Sequence, residues 1–299
     1  MKLGISLPVF TGDPARPLEV ARRASELGFD GVFSPDHLFP PVFYPPSGPD
    51  RPALEAFTLL SAVAVRHPTL HVGTLVARVT LRAPGILAKQ AASLDAMTGG
   101  RAILALGTGD RASRAEHEMF GFAFPSVAER VALLEETVTA LRALFEGRPW
   151  PGSEHVPVMT GPLLPPGAPA LWVGGLSDQV IAVAARVADA WNGWGLDQAA
   201  FAQKATRLRE LAGDRPVQPT WGGIALVGEG ATELEGLVTS RRERGLSLDG
   251  VWIGTVEGLR AFVDGLAAAG ATWFIALPAG PPDRVDVIAE ALGRGPTRG

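Results

Sequence analysis

The sequence predicts an α/β fold, a (β/α)8 TIM barrel with insertions, built as one domain over residues 1–299. Two observations lead there. Strand and helix patterns alternate from the beginning of the chain to its end. The length of 299 residues and the 46% hydrophobic content suit one large core rather than two small ones. No linker-like stretch divides the chain, and a doubly wound open sheet is the alternative fold.

The elements follow in order. Leu3–Val9 reads as a strand and Pro17–Leu27 as an amphipathic helix stopped by Gly28. Gly31–Ser34 is the second strand, Ala53–Val65 a helix and Leu70–Val76 the third strand. Gly85–Met97 is helical up to Gly99-Gly100, and Ala102–Gly107 is the fourth strand. Val127–Phe145 carries Val131, Leu134, Val138, Leu141 and Phe145 at helical spacing. Leu171–Val173 and Ala190–Asn192 are the fifth and sixth strands, with a helix from Asp178 to Ala188 between them. Helix Ala199–Leu211, strand Thr220–Val227, helices Leu234–Glu243 and Leu259–Ala269, and strand Thr272–Leu277 complete the set. Val251–Ile253 also reads as extended, but eight strands are counted for the barrel without it. The insertions are Pro35–Pro52, with seven prolines after strand two, and the Pro/Gly-rich Glu146–Pro169 before strand five. The first, a βα loop, is expected to shape the pocket, with Phe39, Phe43 and Tyr44 lining it. The second lies on the αβ side, either folding over the barrel or running along the surface.

Composition narrows the function. The net charge is −4 and no basic patch stands out, so nucleic acid is not an expected partner. Apolar runs are too short for a membrane span. There is no cysteine, which excludes disulfides, thiolate metal sites and cysteine nucleophiles. Lys2 leads directly into a strand pattern rather than a signal peptide, so a cytoplasmic enzyme is expected.

The richest segment is Leu171-Trp-Val-Gly-Gly-Leu-Ser-Asp-Gln-Val180. A strand runs into Gly174 and Gly175, and Ser177 can cap the helix that follows, which is the geometry of a phosphate site or of an ordinary strand–helix turn. Three other βα junctions carry small or polar residues: Ser34–His37, Gly73–Val76 and Gly107–Asp110. In a barrel all four project to one face. His37 can exchange a proton near neutral pH, its tautomer fixed by Asp36 or a backbone carbonyl. Asp36 binds a ligand or caps the loop, and Asp110 serves as an acid or caps a turn. His117 follows the strand-four loop and is expected near the pocket rim, while His67, His71 and His155 lie elsewhere. No histidine–acid spacing suggests a metal site, and there is no GxSxG elbow or Walker lysine.

Taken together, Gly28-Phe-Asp-Gly-Val-Phe33, Ser34-Pro-Asp-His-Leu38, Leu87-Ala-Lys-Gln-Ala91, Gly99-Gly-Arg101, Leu106-Gly-Thr-Gly109, Leu171-Trp-Val-Gly-Gly175 and Ala188-Asp-Ala-Trp-Asn-Gly193 resemble the bacterial luciferase-like flavin oxidoreductase superfamily over nearly the whole chain. The resemblance implies the barrel, a flavin-like cofactor at its C-terminal face and a homodimer. The Asp-His pair and the Gly-Thr-Gly-acid junction look most like the branch using the deazaflavin F420, with FMN as the alternative cofactor. That branch implies hydride transfer to or from a small organic substrate, with His37 and Asp110 at the reacting centre. It implies cofactor contacts from Asp36, Leu75, Val76, Thr108, Gly109, Val173, Gly174 and Gly175, which we extend with Gly73 and Thr74 of the same junction and Ser177 of the phosphate turn. It also implies a non-prolyl cis peptide at Leu75–Val76. Departures matter. Pro41 stands where the F420-dependent glucose-6-phosphate dehydrogenases have an aromatic residue, so sugar-phosphate oxidation is not expected. Asp110 replaces their Glu, and the reactive cysteine of the luciferases proper is missing. An FMN-dependent monooxygenase and a non-catalytic flavin-binding barrel are the alternatives.

Overall fold

The computed structural model describes residues 1–41 and 47–295. β1 (Lys2–Ser6), β2 (Gly31–Ser34), β3 (His71–Arg78), β4 (Ala102–Gly107), β5 (Ala170–Gly174), β6 (Ala190–Trp194) and β7 (Gln218–Gly228) pair in parallel, each with the next. β9 (Trp273–Pro278) joins β7 to β1 and closes an eight-stranded (β/α)8 barrel. β8 (Val251–Thr255) is the extended segment left out of the sequence count. It pairs only with Ile224–Gly228, the end of β7 beyond its pairing with β6, so it is an annex to the wall.

The helices pack outside: α1 (Ala15–Glu26), α2 (Ala56–Arg66), α3 (Pro84–Thr98), α4 (Arg114–Met119), α5 (Val127–Phe145), α6 (Asp178–Val187), α7 (Gln198–Ala212), α8 (Ala231–Glu243), α9 (Val256–Ala268) and α10 (Arg284–Ala291). Their starts are fixed by side-chain caps where the sequence supplies them. Ser126 and Glu129 form a reciprocal capping box on α5, and Glu55, Asp197 and Thr255 cap α2, α7 and α9. α3 stops at Gly99, whose φ of 66° is the left-handed conformation glycine adopts without strain.

The sheet separates two apolar cores. The larger lies between strands and helices. The smaller plugs the barrel with Phe33, Trp172 and Trp273, whose ring centroids are 5.4–5.8 Å apart. The long insert before β5 stays on the αβ side and packs on α3. A Cβ on Gly167 would lie 2.9 Å from Ala92 Cα, and Ala168 N–H donates to Asp95 (3.0 Å). Far from the mouth, Lys2 Nζ donates to His71 Nε2 at 3.0 Å.

Close strand packing explains one glycine. A Cβ on Gly73 would stand 2.9 Å from both Cβ and the carbonyl oxygen of Ile103, and 3.0 Å from the Phe33 ring. Gly73→Ala is therefore expected to lower stability by about 1–3 kcal/mol, the usual cost of overpacking a core, as read by thermal or urea denaturation.

Candidate active site

A cavity of about 520 Å³ opens where the C-terminal ends of the strands meet their βα loops. This is the face on which barrels of this kind build their sites. Its walls are apolar at Leu75, Val76, Trp194, Ile224 and Leu277 and polar at Ser6, His37, Arg78 and Asn192.

One wall depends on Val76. β3 bulges between Thr74 and Ala77, and the Leu75–Val76 peptide is cis. The Val76 side chain lies across two neighbouring strands. A Cβ on Gly107 or on Gly174 would come within 2.5 Å of its methyl groups. The sequence reading gave Gly174 to ligand approach; the structure gives its missing side chain to Val76, although the residue still lines the cavity. Beside it, Gly175 has φ 149° and its N–H donates to Asn192 O (3.3 Å). Ser177 caps α6 by accepting from Val180 N–H at 3.3 Å. Lys204 of α7 reaches this turn, donating to Leu176 O at 2.7 Å. Lys204, also 3.9 Å from Asp178, thus braces the turn at the α6 N-terminus, whose Gly175 and Ser177 line the cavity.

Another part of the rim is built around a buried carboxylate. Glu116 of α4 is fully buried. Its Oε1 lies 2.8 Å from His37 Nδ1, and its Oε2 accepts from Leu38 N–H (2.6 Å) and Arg78 Nη2 (2.7 Å). Burial alone would raise its pKa, but the hydrogen bond and charge of His37 and those of Arg78 outweigh it and hold the carboxyl below its ordinary value of 4.5. An ionised carboxylate can only accept, so His37 carries a proton on Nδ1, and a neutral His37 has Nε2 free as an acceptor.

Asp36 turns the other way. It accepts from Arg78 N–H (3.0 Å) and forms a two-pronged ion pair with Arg82 (2.6 and 2.9 Å), which also binds Glu55. Asp36 therefore does not orient His37; Glu116 does. The two side chains part company through their partners, Arg78 N–H and Arg82 for Asp36 and Glu116 for His37.

Ten of the thirteen candidate residues read from the sequence line this one cavity: Asp36, His37, Leu75, Val76, Thr108, Gly109, Asp110, Gly174, Gly175 and Ser177. Three lie in the barrel wall behind it. Gly73 is the packing glycine described above, Thr74 donates its hydroxyl to Ala105 O (2.8 Å), and Val173 is fully buried in the outer core. Asp110 is at the mouth, where it accepts from Ser113 N–H and Oγ (3.0 Å each) and caps the short turn Arg111–Ser113. His117, expected at the rim, is fully buried, with Nδ1 donating to Ser113 O and Nε2 2.6 Å from Thr80 Oγ1. Phe39 is buried beside Phe120 rather than on the cavity, and Phe43 and Tyr44 lie outside the described residues. Glu116 and Arg78 were missed. Their one signal is position: Arg78 ends β3, and Glu116 sits just past the β4 junction, in Arg114-Ala-Glu-His-Glu118.

Comparison with known proteins gives the chain's family and the likeness of its fold. The sequence profile of a family described as luciferase-like monooxygenase matches residues 1–244. An F420-dependent glucose-6-phosphate dehydrogenase from Nakamurella multipartita is 36% identical over 135 residues, 45% of this chain and 38% of that protein. The chain thus matches well under half the length of such relatives. Among solved structures, an F420-dependent secondary alcohol dehydrogenase with an F420–acetone adduct superposes with a TM-score of 0.82 over 97% of both chains at 19% identity. The EDTA monooxygenase of Chelativorans sp. BNC1 gives 0.80 over 98% of this chain and 93% of that one at 17% identity. At such identities the likeness is one of fold.

The Glu116 network carries a pH signature. A carboxyl with a depressed folded-state pKa adds stability above its unfolded value and loses that contribution as pH falls through the folded value. Wild-type stability is expected to drop as pH falls below about 4.5, the ordinary value cited above. Glu116→Gln is expected to flatten this acid limb and cost about 3 kcal/mol at neutral pH, because Arg78 loses its buried partner. Urea denaturation between pH 3 and 8 reads both effects.

Proposed function

This chain belongs to the luciferase-like monooxygenase family, and we propose that it is an F420-dependent oxidoreductase transferring a hydride to or from a small organic substrate. The observation that carries this reading is His37, placed on the cavity wall with Nδ1 held by the buried Glu116 carboxylate, so that Nε2 is left to exchange a proton.

The cavity residues fit such a cofactor. Leu75, Val76, Trp194, Ile224 and Leu277 offer apolar surface to a flat ring. Ser6 Oγ and two guanidinium nitrogens of Arg78 are buried without hydrogen-bond partners among the described residues, and both side chains line the cavity, so they suit the ring's polar edge or the substrate. Gly175, Ser177, the α6 N-terminus and Lys204 suit a phosphate-bearing tail. Bound there, the deazaflavin ring would supply the two-electron acceptor or donor.

The chain's own residues do the rest. When a carbinol carbon loses hydride, its hydroxyl proton must leave, and His37 Nε2 accepts it. In the reverse direction imidazolium returns the proton to the forming hydroxyl. Glu116 stabilises the imidazolium and stays ionised beside Arg78. Asp110, at the mouth, is the second acid and is tied to its turn by Ser113. The F420 assignment draws on the glucose-6-phosphate dehydrogenase relatives; Pro41, rather than an aromatic residue, on the cavity wall points to a substrate other than a sugar phosphate. A second reading, an FMN-dependent monooxygenase, draws on the family's description and on the EDTA monooxygenase neighbour. We further propose a homodimer working in the cytoplasm on small molecules, not on nucleic acid, in keeping with the net charge of −4.

Titration with F420 and FMN, followed by single-turnover reduction with candidate alcohols, tests the reading. F420 is expected to bind and be reduced. Tight FMN binding without F420 binding selects the second reading, and cofactor binding with no turnover of any substrate selects a non-catalytic flavin-binding protein. His37→Asn is expected to bind F420 within about threefold of wild type and to lose roughly 10²-fold in turnover, the scale of a lost general base.

A further inference from the structure

We propose that Arg78 forms a subsite for a carboxylate oxygen of the substrate, with Ser6 as a second polar group; the proposal rests on reading the cavity as the reaction site. Arg78 is 3% exposed and lines the cavity. Its backbone N–H is held by Asp36 (3.0 Å), and only Nη2 of its side chain is engaged, by Glu116 (2.7 Å). Nε and Nη1 are buried and have no acceptor among the described residues, and neither does Ser6 Oγ. A buried guanidinium with unmet donors is costly, so an arriving acceptor gains more here than it would at a solvated arginine. Such donors bind anionic oxygen more strongly than neutral oxygen.

Charge points the same way. Arg82 is already flanked by Asp36 and Glu55, and Asp110 is bound to Ser113, leaving Glu116 as the anion shared by Arg78 and His37. Once His37 takes up a proton, one carboxylate faces two cations. A substrate oxygen on Arg78 Nε or Nη1 would give this pair of cations a second anion, on the donors Glu116 leaves unmet. The rest of the lining is apolar, with Phe10, Leu75, Val76, Trp194, Ile224 and Leu277. The substrate class is thus a small apolar or aromatic carboxylic acid whose reacting carbon lies next to the carboxylate-bearing part.

Calorimetric titration of the cofactor-loaded protein with benzoate and with its uncharged counterpart benzamide tests this. Wild type is expected to bind benzoate at least about tenfold more tightly, the scale of one charge-assisted hydrogen bond. Arg78→Met is expected to lose the preference and Arg78→Lys to keep part of it. If Arg78→Met does not fold, Arg78→Met combined with Glu116→Gln removes both charges and carries the same comparison. Equal binding of the two probes by wild type, or an undiminished preference in Arg78→Met, overturns the proposal. Lost cofactor affinity in Arg78→Met without any benzoate preference in wild type assigns the acceptor oxygen to the cofactor ring and overturns the substrate subsite. If neither F420 nor FMN binds, the redox reading fails, while the benzoate preference can still be read on the unloaded protein.

Discussion

The mouth of this barrel is organised by the Glu116 carboxylate. It joins three segments far apart in the chain: the loop after β2 through His37 and Leu38, the end of β3 through Arg78, and α4 beyond β4. Burying a carboxylate costs several kcal/mol, so it persists only where its lone pairs are met. Here both oxygens are engaged, by two charged or chargeable side chains and a backbone N–H. Removing any one partner would affect the other two. The ion pair of Asp36 with Arg82 runs alongside and pins the same loop to the segment after β3. Together they make the start of that loop, Asp36 to Leu38, a fixed support for one imidazole.

The second constraint is steric. Parallel strands pack closely, and the β3 bulge sends the Val76 side chain over its neighbours. Only glycine at 107 and 174 leaves room for it. The result is an apolar stretch of wall in the same cavity as His37 and Arg78. One side of the cavity is apolar and the other carries His37 and Arg78, the division on which the proposed redox function rests.

Much of this was legible in the sequence. The alternation of short apolar runs with amphipathic helices gives the barrel, and the four glycine- or polar-rich junctions give its active face. The placement of His37, Thr108, Gly109, Gly174 and Ser177 around one cavity follows from counting strands. The Glu116 network was not legible. Glu116 lies 79 residues from His37 and 38 from Arg78, and α4 has six residues and no apolar stripe to mark it as buried. A glutamate in Arg-Ala-Glu-His-Glu reads as surface until its partners are known. Asp36 misled because adjacency in sequence suggested contact, while Arg82 and Glu116, far along the chain, hold the two side chains separately. Gly73, Thr74 and Val173 were drawn in with their junctions, but inward packing and a bond to Ala105 place them behind the wall.

The central claim is that Glu116 fixes His37 with its proton on Nδ1 and Nε2 turned to chemistry. Nitrogen-15 NMR of histidine-labelled protein, at a pH where His37 is neutral, measures this directly, with His37→Asn identifying the resonances. The account predicts a protonated Nδ1 and an unprotonated Nε2, and a loss of that tautomer preference in Glu116→Gln. A neutral His37 protonated on Nε2 in the wild type would contradict it.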